Sequence, residues 1–232
     1  MGLKESGLRG SLRNVSVGID AIPDSAVLRY DPSQLSLTDG DNVATRTDQI
    51  SAINADGSAT FKSNIYNGEN AVRYDGSSDT HTVPASEFST ISQPYTVILA
   101  IPEAAQRSER ETIVGRESSS DNSASVRWDG GNSNSWQLNG GSVMTAGSTQ
   151  APLILSAIFD GANSAIRENQ TETTGDAGTE SIESLSIGSL DGSLRYADFD
   201  SGEVIYYNGD LRETNDISNE EQRLAEKYDI PL

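Results

Sequence analysis

The stretch EVIYYNGDLRETNDISNEEQRLAEKYDIPL, residues 203–232, holds an apolar run, a polar turn and a helical period in succession. Ile217, Leu224, Ala225 and Tyr228 fall at offsets 0, 7, 8 and 11, a single stripe of a 3.6-residue helix. Ser218, with Glu221 three residues on, has the form of a capping box, and Asp216 is an alternative N-cap. Glu220, Glu221 and Arg223 read as water-facing, and Pro231 stops any continuation. A helix with one apolar face needs a surface to cover.

Working back from this stretch, short apolar runs recur between Gly- and Asn-rich reversals. They are AVLRYD (26–31), AVRYD (71–75), YTVILAI (95–101), ETIVG (111–115) and SVRWD (125–129). SWQLN (135–139), LILSAIF (153–159), SAIRE (164–168), SLSIGSL (184–190) and EVIYYN (203–208) follow. A spacing of about ten residues, punctuated by DGDN, DGSSD, DGGNSNS and DGANS, predicts an antiparallel all-β domain. YTVILAI and LILSAIF, almost unbroken, are the central strands.

The chain has 232 residues, 35 Asp and Glu against 16 Lys and Arg, a net charge of −19 and no cysteine. Disulfides and thiolate metal sites are therefore excluded. Only Lys4, Lys62 and Lys227 are lysines. Such self-repulsion is relieved at about 1 M salt, where the screening length is about 3 Å, so the composition predicts a high-salt environment. No basic stripe is present to neutralise phosphates, which excludes nucleic acid as a partner. No run approaches the length of a membrane span, and the start lacks the apolar core of a secretion signal. MGLKES does carry the form of a myristoylation site. Residues 1–26, with Arg9 and Arg13 among small residues, read as an attachment segment, and residues 27–232 as the domain.

Within 27–232, GEVIYYN and the helix ending KYDI resemble the tail of laminin-G-like, concanavalin A-like jelly-roll domains. LRYDPSQLSLTDGDNVATRTDQ, NAVRYDGSSD, LILSAIFDGANSAIRENQ and LSIGSL resemble their other motifs. The resemblance implies an antiparallel jelly-roll sandwich closed by the terminal helix. Arg46 stands where many members carry tryptophan, and Asn169-Gln170 replaces an Asn-Gly turn, which predicts a looser reversal there. The acidic, lysine-poor composition and the GLRGSLRNVS leader further resemble jelly-roll proteins of haloarchaeal tailed viruses.

Four groups of residues are candidate sites. DFDSGE (198–203) approximates the E-x-D-x-x-E strand of jelly-roll β-glucanases, with Asp198 and Glu203 as a carboxylate pair. Asp39, Asp41 and Asn42, or Asp75 and Asp79, offer hard oxygens for Ca²⁺, and no other cofactor is expected. Trp128 and Trp136 flank Asp129, Asn132 and Asn134, an aromatic platform beside hydrogen-bonding groups, and this is the preferred ligand site. His81, the lone histidine, has no partner motif and reads as a rim residue. Asn14 and Asn169 head glycosylation sequons.

These readings lead to a non-enzymatic virion structural protein, a capsid turret or tail appendage, that displays its domain at the virion surface. It would form a homo-oligomer, contact other virion proteins through the N-terminal segment, and recognise a host glycan or surface glycoprotein. The alternatives are a haloarchaeal cell-surface or secreted carbohydrate-binding module, and a glycan hydrolase using Asp198 and Glu203.

Overall fold

The computed structural model describes residues 22–105, 108–116, 124–214 and 216–232. Six strands come first: β1 (Ala26–Tyr30), β2 (Thr45–Thr47), β3 (Asn54–Ser58), β4 (Thr60–Tyr66), β5 (Glu69–Asp75) and β6 (Thr80–Val83). Then come β7 (Tyr95–Ile101), β8 (Glu103–Ala104), β9 (Arg110–Gly115), β10 (Ser125–Asp129), β11 (Ser135–Asn139) and β12 (Val143–Thr145). β13 (Leu153–Phe159), β14 (Ser164–Glu168), β15 (Thr171–Gly175), β16 (Leu185–Ile187), β17 (Asp198–Ser201) and β18 (Val204–Asn208) precede the helix α1 (Asp216–Tyr228). The strands form a sheet of six ordered β1-β18-β7-β13-β14-β15, a sheet of eight ordered β12-β11-β10-β9-β16-β6-β3-β2, and a small sheet β4-β5-β17-β8. The pairing is antiparallel, as the all-β reading predicts.

The two unbroken apolar runs are explained by what lies on each side of them. Every residue of β7 and β13 is buried. Val97, Leu99, Leu155 and Ala157 point into the main core, shared with Val126, Leu138 and Ile187 of the eight-stranded sheet. Their alternates Ile98, Ala100, Ile154 and Ile158 point the other way, into a second cluster with Ile217, Leu224, Ala225 and Tyr228 of α1. Burying each of the Val, Leu and Ile side chains among them contributes about 1.5–3 kcal/mol. The helix therefore covers the outer face of the six-stranded sheet.

Two glycines mark how close these layers lie. A Cβ on Gly202 would sit 2.7 Å from the Tyr228 ring and 2.9 Å from the Ala100 Cβ. Gly188, at φ +84°, lies under the Tyr74 ring, where a Cβ would come within 2.2 Å. These are the glycines of the GEV and IGS motifs. The helix ends where Asp229 turns left-handed (φ 54°) and the Ile230 N–H returns to the Ala225 carbonyl at 2.9 Å. That is a Schellman closure.

Several expectations need correction. The reversal at Asn169-Gln170 is tight: Glu168 pairs with Thr171, and both turn residues have positive φ (46° and 68°). The Asn169 side chain also accepts the Ile154 N–H at 2.7 Å, which holds the turn without a glycine. Glu220, Glu221 and Arg223 do not face water but are buried, at 3%, 0% and 7% exposure. Ser218 and Glu221 form no capping box, because both lie inside the helix and Glu221 instead accepts from Ser156 (2.8 Å) and Arg167 (2.8 and 2.9 Å). Asp216 is the first helical residue and so not the N-cap. The polar face of α1 is buried because the outer sheet face presents matching polar groups. The expected segment 1–26 overlaps the described body, since Ile22 packs on the helix-side cluster and β1 starts at Ala26. The MGLKES motif and Asn14 lie outside the described residues.

Candidate functional site

Glu203 sits one residue before β18 and has no exposed side-chain surface. Strand pairing brings Arg29 of β1 alongside, its Nε 2.9 Å from the Glu203 carboxylate. The last turns of α1 supply Arg223, at 3.1 and 3.2 Å, and Lys227, at 2.7 Å. Arg29 and Lys227 also reach Asp31, at 3.0 and 3.1 Å, and the Asp31 carboxylate accepts the Ser33 N–H at the 3-10 turn Pro32–Gln34. Glu220 accepts from Tyr207 (2.8 Å) and from Arg223 (3.1 Å). One buried carboxylate thus gathers three cations from the first strand and the last helix.

The electrostatics follow from that geometry. Burial pushes the Glu203 carboxyl upward, but hydrogen bonds and charge from Arg223, Arg29 and Lys227 outweigh it and bring its pKa down to about 2. Burial depresses Arg29 and Lys227, and their carboxylate partners more than restore them, so both end above their ordinary values. These groups stay charged at neutral pH. They hold orientation and do not exchange protons.

Beside this cluster opens a cleft of about 590 Å³. Arg29, Arg223 and Lys227 form one wall, Asp31, Glu69 and Glu226 add carboxylates, and Ser33 and Gln34 complete the rim. The volume suits a small ligand. Counting Glu203 behind the wall, carboxylates slightly outnumber cations.

The sequence-predicted residues lie elsewhere, apart from Glu203 behind the cleft. Asp198 pairs with Arg73 and lies on β17 opposite Asp75, while Glu203 is held by its own three cations. The two do not form a free carboxylate pair in a shared cleft. Trp128 and Trp136 face each other across the β10–β11 ladder with ring centroids 5.3 Å apart, and both are buried in the main core (1% and 0% exposed). The expected aromatic platform is therefore not formed. Asp129 is buried too, bound to Arg110 and Gln137, and of the five candidate residues Asn132 and Asn134 alone are exposed, at the tip. The alternation of Val126 with Trp128, and of Trp136 with Leu138, carried the inward direction of both rings.

His81 is not a rim residue but fully buried. Its Nε2 donates to the Val43 carbonyl (2.9 Å), and its Nδ1 accepts from the Tyr74 hydroxyl (3.0 Å), whose oxygen accepts from Arg46 (3.1 Å). Of the calcium candidates, Asp39, Asp41 and Asn42 accept from Ser63, Thr38 and Ser58. Asp75 accepts the N–H groups of Ser77, Ser78 and Asp79. Among the described residues, no three His, Cys, Asp or Glu side chains group to hold a metal, and no helix is long and apolar enough to cross a membrane.

No protein-family model matches the chain, and no curated protein sequence does. Among solved structures, it is similar to Trypanosoma rangeli sialidase, with TM-score 0.63, 11% identity, and coverage of 89% of this chain and 33% of the sialidase. It is also similar to the receptor binding domain of botulinum neurotoxin D, with TM-score 0.55, 14% identity, and coverage of 86% of this chain and 53% of that one. The chain spans about a third of the sialidase and about half of the toxin chain. At these identities the likeness shows the fold alone: an all-β body of antiparallel sheets with a C-terminal helix.

Proposed function

We propose that this chain is a non-catalytic recognition module on a concanavalin A-like jelly-roll sandwich, and that the cleft beside α1 takes an uncharged, hydroxyl-rich ligand such as a surface glycan. The observation that carries this is the wall of Arg29, Arg223 and Lys227, fixed by the buried Glu203. Fixed donors and acceptors recognise hydroxyl groups at low entropic cost. Because the cations are already matched by carboxylates, an acidic sugar gains little attraction there. The likeness to sialidases, at 11% identity over 33% of that chain, is one of fold and carries no activity to this chain. Glu203, held as a counter-ion, is not free to act as an acid or base. In keeping with the resemblance to haloarchaeal virus proteins, we place the module at the surface of a virion, as a turret or tail appendage.

The test is calorimetric titration of the full chain against neutral and sialylated oligosaccharides. Ser33→Ala and Gln34→Ala remove exposed rim groups outside the buried cluster. A neutral glycan whose affinity falls several-fold in both variants supports the reading. Preference for sialylated ligands, or binding unmoved by either substitution, overturns the assignment to this cleft.

A further inference from the structure

Asn-Gly occurs three times in the chain, at 67–68, 139–140 and 208–209. Such a pair can react with itself, because glycine has no Cβ to shield its nitrogen. The glycine nitrogen, once it sheds its proton, attacks the Asn Cγ. The new C–N bond closes a succinimide ring, the Cγ–Nδ2 bond breaks, and ammonia leaves. Water then opens the ring at either carbonyl, leaving aspartate or its isomer, whose main chain runs through the side-chain carbon. The step needs a glycine N–H that is not already donating a hydrogen bond.

The fold removes two of the three pairs on that criterion. The Gly140 N–H donates to the Ala177 carbonyl at 2.6 Å, and Asn139 is buried. The Gly209 N–H donates to the Pro94 carbonyl at 3.0 Å. Asn67 and Gly68 instead form the exposed tip between β4 and β5, where Tyr66 pairs with Glu69. Both are left-handed, at φ 53° and 83°, which is why this turn uses Asn and Gly. The Gly68 N–H has no acceptor among the described residues, and a Cβ there would meet nothing within 4 Å.

What Asn67 holds gives the reaction a consequence. Its Nδ2 donates to the Glu226 and Lys227 carbonyls, at 3.1 and 3.3 Å, in the last turn of α1. The amide thus clips the β4–β5 hairpin to the negative end of the helix. Lys227, on that turn, is already shared among Asp31, Glu203 and Glu69.

We propose that Asn67-Gly68 is a site of spontaneous deamidation that releases this clip. Loss of ammonia takes away the donor, and the carboxylate left in its place faces carbonyl oxygens at the negative helix end. Opening the ring the other way adds a methylene to a two-residue turn and disturbs the Tyr66–Glu69 pairing. Either product frees the hairpin from α1. Glu69, Glu226 and Lys227 line the cleft, so one of its walls loosens as the protein ages, whatever the cleft holds.

The test follows deamidation of the full chain in mildly alkaline buffer, by peptide mass and by chromatographic separation of aspartyl and isoaspartyl peptides. In urea, with the fold removed, the three pairs should react at comparable rates. In the folded chain Asn139 and Asn208 should slow several-fold relative to Asn67. A folded chain in which either reacts as fast as Asn67, or in which Asn67 does not react, overturns the assignment. Hydrogen exchange then reads the clip. In Asn67→Asp, amides of residues 64–69 and 226–230 should exchange several-fold faster than in wild type, while β7 and β13 keep their protection. Should that variant fail to fold, aged wild-type chain carrying the product is measured in its place. Unchanged exchange at both segments, or an equal rise throughout the chain, overturns the release.

Discussion

Gln170 and Asp229 hold left-handed backbone, at φ 68° and 54°, a region that glycine enters without steric cost. A side chain in this region costs roughly 1–2 kcal/mol, less for Asp, whose short polar side chain tolerates it. Gln170→Gly should therefore stabilise the protein by about 1 kcal/mol and Asp229→Gly by less. Thermal unfolding checks this, and a lower midpoint for Gln170→Gly would refute the strain at the turn. A second residue-scale prediction concerns His81. Burial lowers its pKa first, the charge of Arg46 lowers it further, and the Val43 hydrogen bond opposes them weakly, leaving it at about 3. The imidazole is neutral in the folded state and titrates near 6.5 when unfolded, so its contribution is present above pH 6.5 and is lost as pH falls toward 3. The hydrogen-bond partners of Arg46 among the described residues are all neutral: the Tyr74 and Ser201 hydroxyls and the Tyr30 and Gly202 carbonyls. Arg46→Met removes that charge while keeping a long side chain, so the His81 titration should move upward. His81 is the only histidine, so its ring signals in proton NMR report this without assignment. An unchanged titration would show that Arg46 does not set it.

At the scale of elements, α1 is fastened by charge as well as by apolar contact. Glu203→Gln keeps the shape of the buried side chain but leaves Arg29, Arg223 and Lys227 short of a counter-charge, which should cost about 3–5 kcal/mol. The acid response gives a sharper check. Glu203 has its pKa lowered from 4.5 to about 2, so its contribution is complete above pH 4.5 and is lost as pH falls toward 2. The shift corresponds to about 3 kcal/mol. Urea unfolding at pH 7, 4.5 and 3 should show the gap between wild type and Glu203→Gln narrowing below pH 4.5, while the His81 effect cancels because both proteins share it. A gap independent of pH would mean that the carboxylate is not the anchor. The apolar stripe of this helix and the strands β7, β10, β11, β13 and β18 were legible in the sequence because each carries its own period. β2 (TRT), β3 (NADGS) and β15 (TETTG) were not, since these strands bear almost no apolar signal. The cleft was illegible for a different reason. Arg29 stands 174 residues from Glu203, and Asp31 stands 196 from Lys227, so no local spacing announces them. Their polarity alone made Glu220, Glu221 and Arg223 look like a solvated face.

For the whole molecule, the −19 net charge and the buried ion cluster respond differently to salt. Surface carboxylates repel across water, over a screening length of about 30 Å at 0.01 M salt and about 3 Å at 1 M. Glu203, Glu220 and Glu221 lie at 0–4% side-chain exposure, within about 3 Å of their partners, and counter-ions reach them far less. Added salt should therefore relieve the repulsion while leaving the attachment of α1 intact, so stability rises with ionic strength. A gain of about 2 kcal/mol between 0.01 and 1 M would raise the melting temperature of a chain this size by roughly 4–8 °C. Sodium chloride and potassium chloride should act alike, because screening depends on ionic strength rather than on the cation. Glu203→Gln should show the same salt slope as wild type, displaced downward by its constant penalty. A melting temperature that stayed flat or fell with salt would mean that surface repulsion does not limit this fold, and the high-salt setting inferred from its composition would lose its physical basis.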